Sequence, residues 1–368
     1  MAQFITDINK QTITIGNRCY RMSDIAKLRS SANSLHTENH FYSSLIDFLA
    51  EWSNESDYLK VHTSGSTGTP KELWVEKKRM MKSAMMTVSF LDLQKNDTAH
   101  LCMPLQYIAG KMVVVRALVA GLRLIISTPC GNPLREITEI PVFSAMTPMQ
   151  VFNTVQIDRE NEALKQINQL IIGGGSIDKT LNDILATYPN AIWSTYGMTE
   201  TLSHIALRRL NGANASEWYT PLPNVSLSRS TEGTLIINAP DVAPQILETN
   251  DIVEFNSQNQ FRIIGRKDNI INTGGIKVQI EQVEDLLKPL LKRPFMITAV
   301  PDSKFGEKIV LLTEPNSLTE EKIKNAMKTL PIYWRAKEII TIDKLPQTGT
   351  GKPDRAKAKR LATEATNR

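Results

Sequence analysis

The 368-residue chain is poor in cysteine, in aromatic residues and in charge of one sign. Its three cysteines, Cys19, Cys102 and Cys130, lie far apart in the sequence. They form no CxxC pair and no metal-ligand spacing, which excludes a thiolate zinc site and a disulfide framework. Free thiols in a reducing compartment are expected, and with them a cytoplasmic location. The balance of 43 basic against 38 acidic side chains leaves a net charge of +5. That is too mild for a nucleic-acid-binding surface, but it suits a protein that handles anions such as nucleotides. Long apolar runs are missing. The most apolar stretch, 112–126, is broken by Arg116 and Arg123 and reads as a buried helix running into a strand, so no membrane span is expected. The first ten residues have neither a basic n-region nor an apolar run, so no signal peptide is expected. There is no internal repeat and no low-complexity block.

What is present is an alternation of strands and helices. Residues 1–60 are weakly patterned, apart from Phe41 to Trp52 (FYSSLIDFLAEW), whose apolar residues recur at helical spacing. Short strands are predicted at 58–62, 98–103, 122–127 and 169–172, with a helix over 177–187. Strands alternating with helices indicate α/β architecture. From 231 to 264 the pattern changes to short alternating runs at 234–237, 252–255 and 261–264. Gly233, Asn250 and Asn259 serve as turn residues between them, which predicts an antiparallel meander. A smaller α+β unit follows. A helix over 281–292 carries Val283, Leu286, Leu287, Leu290 and Leu291 on one face. Strands are predicted at 295–300 and 308–313, and a second helix over 318–330 with Ser317 as its N-cap. The fold class expected is therefore a large α/β domain with a β meander, residues 1–267, and a small mobile α+β domain, residues 268–368. The basic segment 352–368 reads as a solvated helix.

Several segments carry chemistry. Residues 62–72 read HTSGSTGTPKE, a Gly/Ser/Thr-rich loop after a strand. Glycines allow close backbone approach, and successive N–H groups and hydroxyls make an anion-binding concavity. The spacing is not that of a Walker loop. By composition alone an ordinary turn is the better account, but the full string resembles the phosphate loop of the acyl-adenylate-forming superfamily, which includes acyl-CoA synthetases, luciferases and peptide-synthetase adenylation domains. The family usually has Gly where this chain has Glu72. Further segments follow in that family's order. STYGMTET, 194–201, resembles its second signature, and Gly173-Gly174-Gly175 its adenine-side loop. Thr249-Asn250-Asp251 stands where the family has Thr-Gly-Asp. GRKDNIINTGG, 265–275, resembles the hinge motif, and LPQTGTGKPDR, 345–355, the terminal motif with a catalytic lysine. AVPDSKFGEK, 299–308, and LPIYWR, 330–335, also resemble segments of the family's small domain. The resemblance covers residues 58–356.

The resemblance implies an enzyme that activates a carboxylic acid with ATP and Mg²⁺ as an acyl-adenylate, then passes the acyl group to coenzyme A. It implies that Thr63, Ser64, Gly65, Ser66, Thr67, Gly68 and Lys71 hold phosphates, and that Gly173, Gly174, Gly175, Tyr196 and Gly197 flank the adenine. Thr199 would contact the α-phosphate and Glu200 would bind Mg²⁺. Asp251 would accept hydrogen bonds from the ribose, with Asn250 keeping a turn at positive φ. Arg266 would lie near the ribose or phosphate, and Asp268 would be the hinge. Gly274 and Gly275 would line the thiol's approach, where side chains would obstruct it, and Lys352 would be catalytic. Alone, a Thr-Glu pair is normally a helix cap, an Asp in a loop a turn residue, and a lysine near the C-terminus a solvated charge.

About sixty residues precede the phosphate loop, where the family has well over a hundred, so a trimmed N-terminal subdomain is expected. That shortness, with MPLQYIAGKMVVVR (103–116) and YGMTETLSHIALR (196–208), is similar to compact members that ligate o-succinylbenzoate to coenzyme A in menaquinone biosynthesis. Gln106 and Tyr107 replace the family's gating His. A second substrate carboxylate would need a cation, for which Lys111, Arg116 and His204 are candidates. Other acids, a carrier protein loaded in trans, and a silent acyl-adenylate sensor are the alternatives. Small-molecule substrates are the expected partners, and a homodimer is left open.

Overall fold

The structure is a computed structural model that describes residues 4–25, 40–62, 72–348 and 353–366. The phosphate-loop residues Thr63, Ser64, Gly65, Ser66, Thr67, Gly68 and Lys71, and the terminal Lys352, lie outside the described residues.

A nine-stranded sheet organises the first 220 or so residues. Its spatial order is Thr220–Pro221, His204–Arg209, Ala191–Gly197, Gln169–Ile172, Phe143–Met146, Thr98–Leu101, Arg123–Ile126, Thr12–Ile15 and Arg18–Arg21. From Ala191–Gly197 across to Thr12–Ile15 neighbouring strands run parallel, and both edges are closed by antiparallel pairs. The apolar segment 112–126 is the helix and strand its sequence predicts. Ile108–Ala120 is buried from Gly110 onward, ends at Gly121 in the left-handed region, and leads into Arg123–Ile126. Only glycine takes that φ without steric cost, so the helix stops there.

The N-terminal hairpin Thr12–Ile15/Arg18–Arg21 was not legible. Each strand is four residues long, and Ile13 alone is fully buried. Pairing of Thr14 and Ile15 with Arg123 and Leu124 fixes the hairpin, and that is a long-range contact no local pattern announces.

The predicted meander is a four-stranded antiparallel sheet, Ser226–Arg229, Thr234–Asn238, Leu247–Phe255 and Phe261–Arg266. Asn250 is not a turn residue in it. It lies inside the nine-residue strand Leu247–Phe255, and its φ is not positive.

Beyond residue 268, Ile270–Thr273, Ile276–Gln279, Phe295–Asp302, Gly306–Thr313 and Glu338–Thr341 form a second sheet. Alternation along its strands sends Ile297, Ala299, Ile309 and Leu311 to one face, against Val283 and Leu287 of the helix Ile280–Leu291 and Ile323 and Met327 of Glu320–Met327. Met296, Val300, Val310 and Leu312 face the other way, against Ala358 and Ala362 of Arg355–Thr366. The terminal helix is therefore packed on one side rather than solvated all round. Two small side chains four residues apart let it lie close to the sheet. The helix cap expected at Ser317 belongs to Thr319, whose hydroxyl accepts from Lys322 N at 3.3 Å.

His100 sits at the centre of the large sheet, fully buried, between Ser127 Oγ at 2.9 Å and Ser144 Oγ at 3.3 Å. Burial pulls its pKa down to about 4. The folded chain thus holds it neutral, while the unfolded chain protonates it near pH 6.5. Stability contributed this way is complete above that pH and is lost as pH falls towards the folded pKa. At about pH 5 the expected loss is roughly 2 kcal/mol. Denaturant midpoints at about pH 7 and pH 5 check it. His100→Gln should shrink the difference between them by that amount.

Candidate functional site

In an open parallel sheet, ligands sit beyond the carboxyl ends of the strands. Two of the expected segments, the Gly173 loop and STYGMTET, converge there, beside a helix cap at Thr147 that no motif announced. Gly173 directly follows Gln169–Ile172, and Tyr196 and Gly197 end Ala191–Gly197. Thr199 and Glu200 occupy the 3-10 turn Thr199–Thr201, and Thr147 caps the helix Pro148–Thr154 after Phe143–Met146. Gln150, absent from any motif, ties this edge together. Its buried amide donates to Cys102 O at 3.2 Å and Cys130 O at 3.0 Å.

Gly173 is glycine because a Cβ there would stand 2.3 Å from Thr195 Oγ1, and Gly197 because a Cβ would stand 2.3 Å from the Ser203 carbonyl. Tyr196 is buried against Phe261 (ring centroids 5.1 Å apart, 79°) and Tyr219 (6.0 Å, 61°). Its hydroxyl donates to Asp251 Oδ2 at 2.6 Å. Burial, then the Asp251 charge, pushes the phenol far above its ordinary range, so it remains a donor. Asp251 also accepts from Arg266 Nη1 at 3.2 Å. Cross-strand register produces that pair, since Asp251 lies opposite Arg266 in the meander. A carboxylate has about four acceptor sites, so two remain for a diol.

The same guanidinium grips Asp268 through Nε and Nη2, both at 3.0 Å. One arginine thus bridges Asp251 and the expected hinge. Gln279 closes over it from the second sheet, donating to Arg266 O at 2.8 Å, and the absent side chain at Gly265 leaves the room. Gly274 and Gly275 form the two-residue connection between Ile270–Thr273 and Ile276–Gln279, with φ of 60° and 81°. That geometry is a tight hairpin requiring positive φ at both positions, so backbone conformation already accounts for both glycines. A Cβ at Gly275 would meet nothing within 4 Å. Glu72 pairs with Lys60 at 2.5 Å across the hairpin Tyr58–His62/Glu72–Glu76, whose strands flank the expected phosphate loop in sequence.

Of the three cations considered for a second carboxylate, two are ruled out by their surroundings. Lys111 Nζ donates to Lys60 O at 2.8 Å and faces Glu51 at 3.7 Å, so it already has a counter-charge. His204 is buried between Thr87 Oγ1 at 3.0 Å and Ser203 Oγ at 3.3 Å. Burial and the neighbouring Arg116 hold its pKa well below the usual range, so it carries no charge. Arg116 is different. It is 2% exposed and donates through Nη2 to Ser203 Oγ at 2.7 Å, and its Nε has no partner. Burial lowers its pKa to about 9, which still leaves it a cation at neutral pH. No carboxylate pairs with it among the described residues. Ser203, two residues past the signature's final threonine, was missed because a lone serine gives no signal in sequence.

A profile of AMP-binding enzymes matches residues 17–234. The 2-succinylbenzoate–CoA ligase of Listeria monocytogenes is 22% identical over 342 residues, covering 85% of this chain and 72% of the relative. The acyl-CoA synthetase (AMP-forming)/AMP-acid ligase II-like protein of Dyadobacter fermentans is 30% identical, with a TM-score of 0.61 over 91% of this chain and 98% of that one. The o-succinylbenzoate CoA synthetase of Bacillus subtilis, solved with its acyl-adenylate intermediate, superposes with a TM-score of 0.73 over 96% of each chain at 14% identity, a likeness of fold.

Proposed function

The chain belongs to the family of AMP-binding enzymes, and from that we propose an acid–CoA ligase that activates o-succinylbenzoate with ATP and transfers the acyl group to coenzyme A. The observation that carries the substrate assignment is Arg116. A buried guanidinium without a counter-charge is costly. A substrate that brings a second carboxylate to it offsets that cost, and o-succinylbenzoate has one carboxylate to activate and one to anchor.

The first half-reaction is attack of the substrate carboxylate on the α-phosphate, with pyrophosphate leaving. Positioning and charge neutralisation dominate such chemistry. Asp251 would hold the ribose hydroxyls, Tyr196 would pack on the adenine, and Thr199 would contact the α-phosphate. Gly65, Gly68 and Lys71 would receive the β- and γ-phosphates, and Lys352 would bridge carboxylate and α-phosphate oxygens. Among the described residues no group of three or more His, Cys, Asp or Glu side chains could hold a metal ion. Glu200, an exposed carboxylate beside Thr199, nevertheless fits Mg²⁺, which takes one or two carboxylates and completes its shell with phosphate oxygens and water. Mg²⁺ held there would neutralise polyphosphate charge. In the second half-reaction the unit from residue 268 onward, whose buried apolar clusters share no residue with that of 13–261, would turn about Asp268 and carry Gly274 to the thiol's path.

Pyrophosphate release measured over a panel of acids, with and without coenzyme A, tests the reading. Strong CoA-dependent turnover is expected on o-succinylbenzoate. Arg116→Met should lower kcat/KM on it by about 10²-fold more than on a monocarboxylic aromatic acid, the cost of an unpaired buried charge. Equal losses on both acids would sink the role given to Arg116, and preferred turnover on another acid would sink the substrate.

A further inference from the structure

The segment joining the nucleotide side to Arg116 contains a backbone conformation that leucine rarely adopts. Leu202 has φ 65° and ψ −38°. Ser203 N–H returns to the Thr201 carbonyl at 2.7 Å, closing a three-residue γ-turn of the strained hand. Such a conformation persists only where its surroundings over-determine it. Here the surroundings converge on one hydroxyl. Thr201 Oγ1 is fully buried, accepts from Met198 N at 3.0 Å, and lies within donating distance of Ser203 O at 2.8 Å and Met198 O at 3.0 Å. It spans the turn from both sides. The Ser203 carbonyl is further pinned by Gly197, whose missing side chain leaves the two backbones in contact.

The turn separates two functions by very few residues. On its amino side are Thr199 and Glu200. On its carboxyl side is Ser203, whose hydroxyl takes Arg116 Nη2 at 2.7 Å. We infer that Thr201 is a positioning residue: its hydroxyl holds Leu202 in the γ-turn and so fixes the distance between the phosphate-contacting end and the Arg116 anchor. Relaxing the turn into an ordinary extended or helical linkage would shift Ser203 relative to Thr199. An acid anchored at Arg116 would then present its reacting carboxylate off line to the α-phosphate. The inference rests on the function proposed above. A register error of about 1 Å costs on the order of 10²-fold in rate.

The test compares Thr201→Val, which keeps shape and removes the hydroxyl, with Thr201→Ser, which keeps the hydroxyl. Steady-state pyrophosphate release is measured per folded molecule. Thr201→Val is expected to lower kcat on o-succinylbenzoate by about 10- to 100-fold, with KM for ATP changed less than about threefold, and Thr201→Ser to recover most of the loss. In a cycle with Arg116→Lys the two losses are expected to be less than additive, because both disturb one placement. Thr201→Val within about threefold of wild type in kcat overturns the inference, as does equal impairment of the Val and Ser variants, since neither leaves a role for the hydroxyl. If Thr201→Val does not fold, Thr201→Cys, a weak donor of similar volume, replaces it with the same expectations. Wild-type protein that releases no pyrophosphate from any acid overturns the proposed function itself. An active wild type with an unaffected Thr201→Val overturns the inference alone.

Discussion

Lys352→Ala is expected to lower acid-dependent pyrophosphate release by roughly 10²- to 10³-fold while leaving transfer to coenzyme A from supplied acyl-adenylate within about threefold of wild type. Two anions, a carboxylate and a triphosphate, must meet in the first half-reaction. A cation placed between them acts where negative charge concentrates in the transition state. The second half-reaction brings in a thiol and releases AMP, and it has no such meeting of anions. Rapid-quench measurement of each half-reaction separates the two. Equal losses in both would show that Lys352 serves binding or folding, and no loss in the first would remove it from the chemistry. Lys71 should behave differently. If it holds the pyrophosphate, as proposed, its loss should weaken ATP binding more than it slows the step.

The second large effect concerns how the residues after Lys352 are held. Arg355 lies three positions on, at the start of the terminal helix. Its guanidinium donates to both oxygens of Glu284, each at 2.6 Å, and Nη1 also reaches Ile297 O at 3.3 Å. Glu284 is 6% exposed and takes Ile297 N at 2.9 Å as well. Helix Ile280–Leu291, strand Phe295–Asp302 and helix Arg355–Thr366 are thereby joined at one carboxylate. Glu284→Gln keeps the shape but leaves a guanidinium without its charge partner. The expected cost is about 3–5 kcal/mol in the stability of the unit from residue 268 onward. Thermal unfolding, with hydrogen exchange along 355–366, measures it. The paired change Glu284→Leu with Arg355→Met should recover most of the loss, because apolar groups of similar volume demand no solvation. Failure of the pair to recover it would mean that the bidentate geometry itself, rather than charge balance, holds the three elements.

Much of the proposed site is local in sequence and therefore leaves motifs to read. A phosphate loop, a Tyr-Gly-x-Thr-Glu segment and a hinge each lie within about a dozen residues, because a strand end presents consecutive backbone groups to one ligand. The alternation of strands and helices, and the shift to an antiparallel meander after residue 231, are likewise set by periodicities of 2 and 3.6 residues, which neighbours in the chain express directly.

Choices that depend on distant partners were not readable. Lys111, Arg116 and His204 were equivalent candidates as letters. Tertiary contacts distinguish them, because Glu51 neutralises Lys111, burial strips His204 of its charge, and Arg116 hydrogen-bonds Ser203 with no carboxylate paired to it among the described residues. Asn250 looks like a turn residue, yet pairing of Leu247–Phe255 with two flanking strands extends it. The terminal helix looks solvated from its lysines and arginines, yet Ala358 and Ala362 dock it on the second sheet. The sequence by itself determined the chemistry and the order of the elements, because motif and period are properties of adjacent residues. Only the tertiary structure decided which charge stands unpaired among the described residues, and with it the anchor proposed for the substrate, because the free energy of a charge is set by the solvent and partners that folding brings around it.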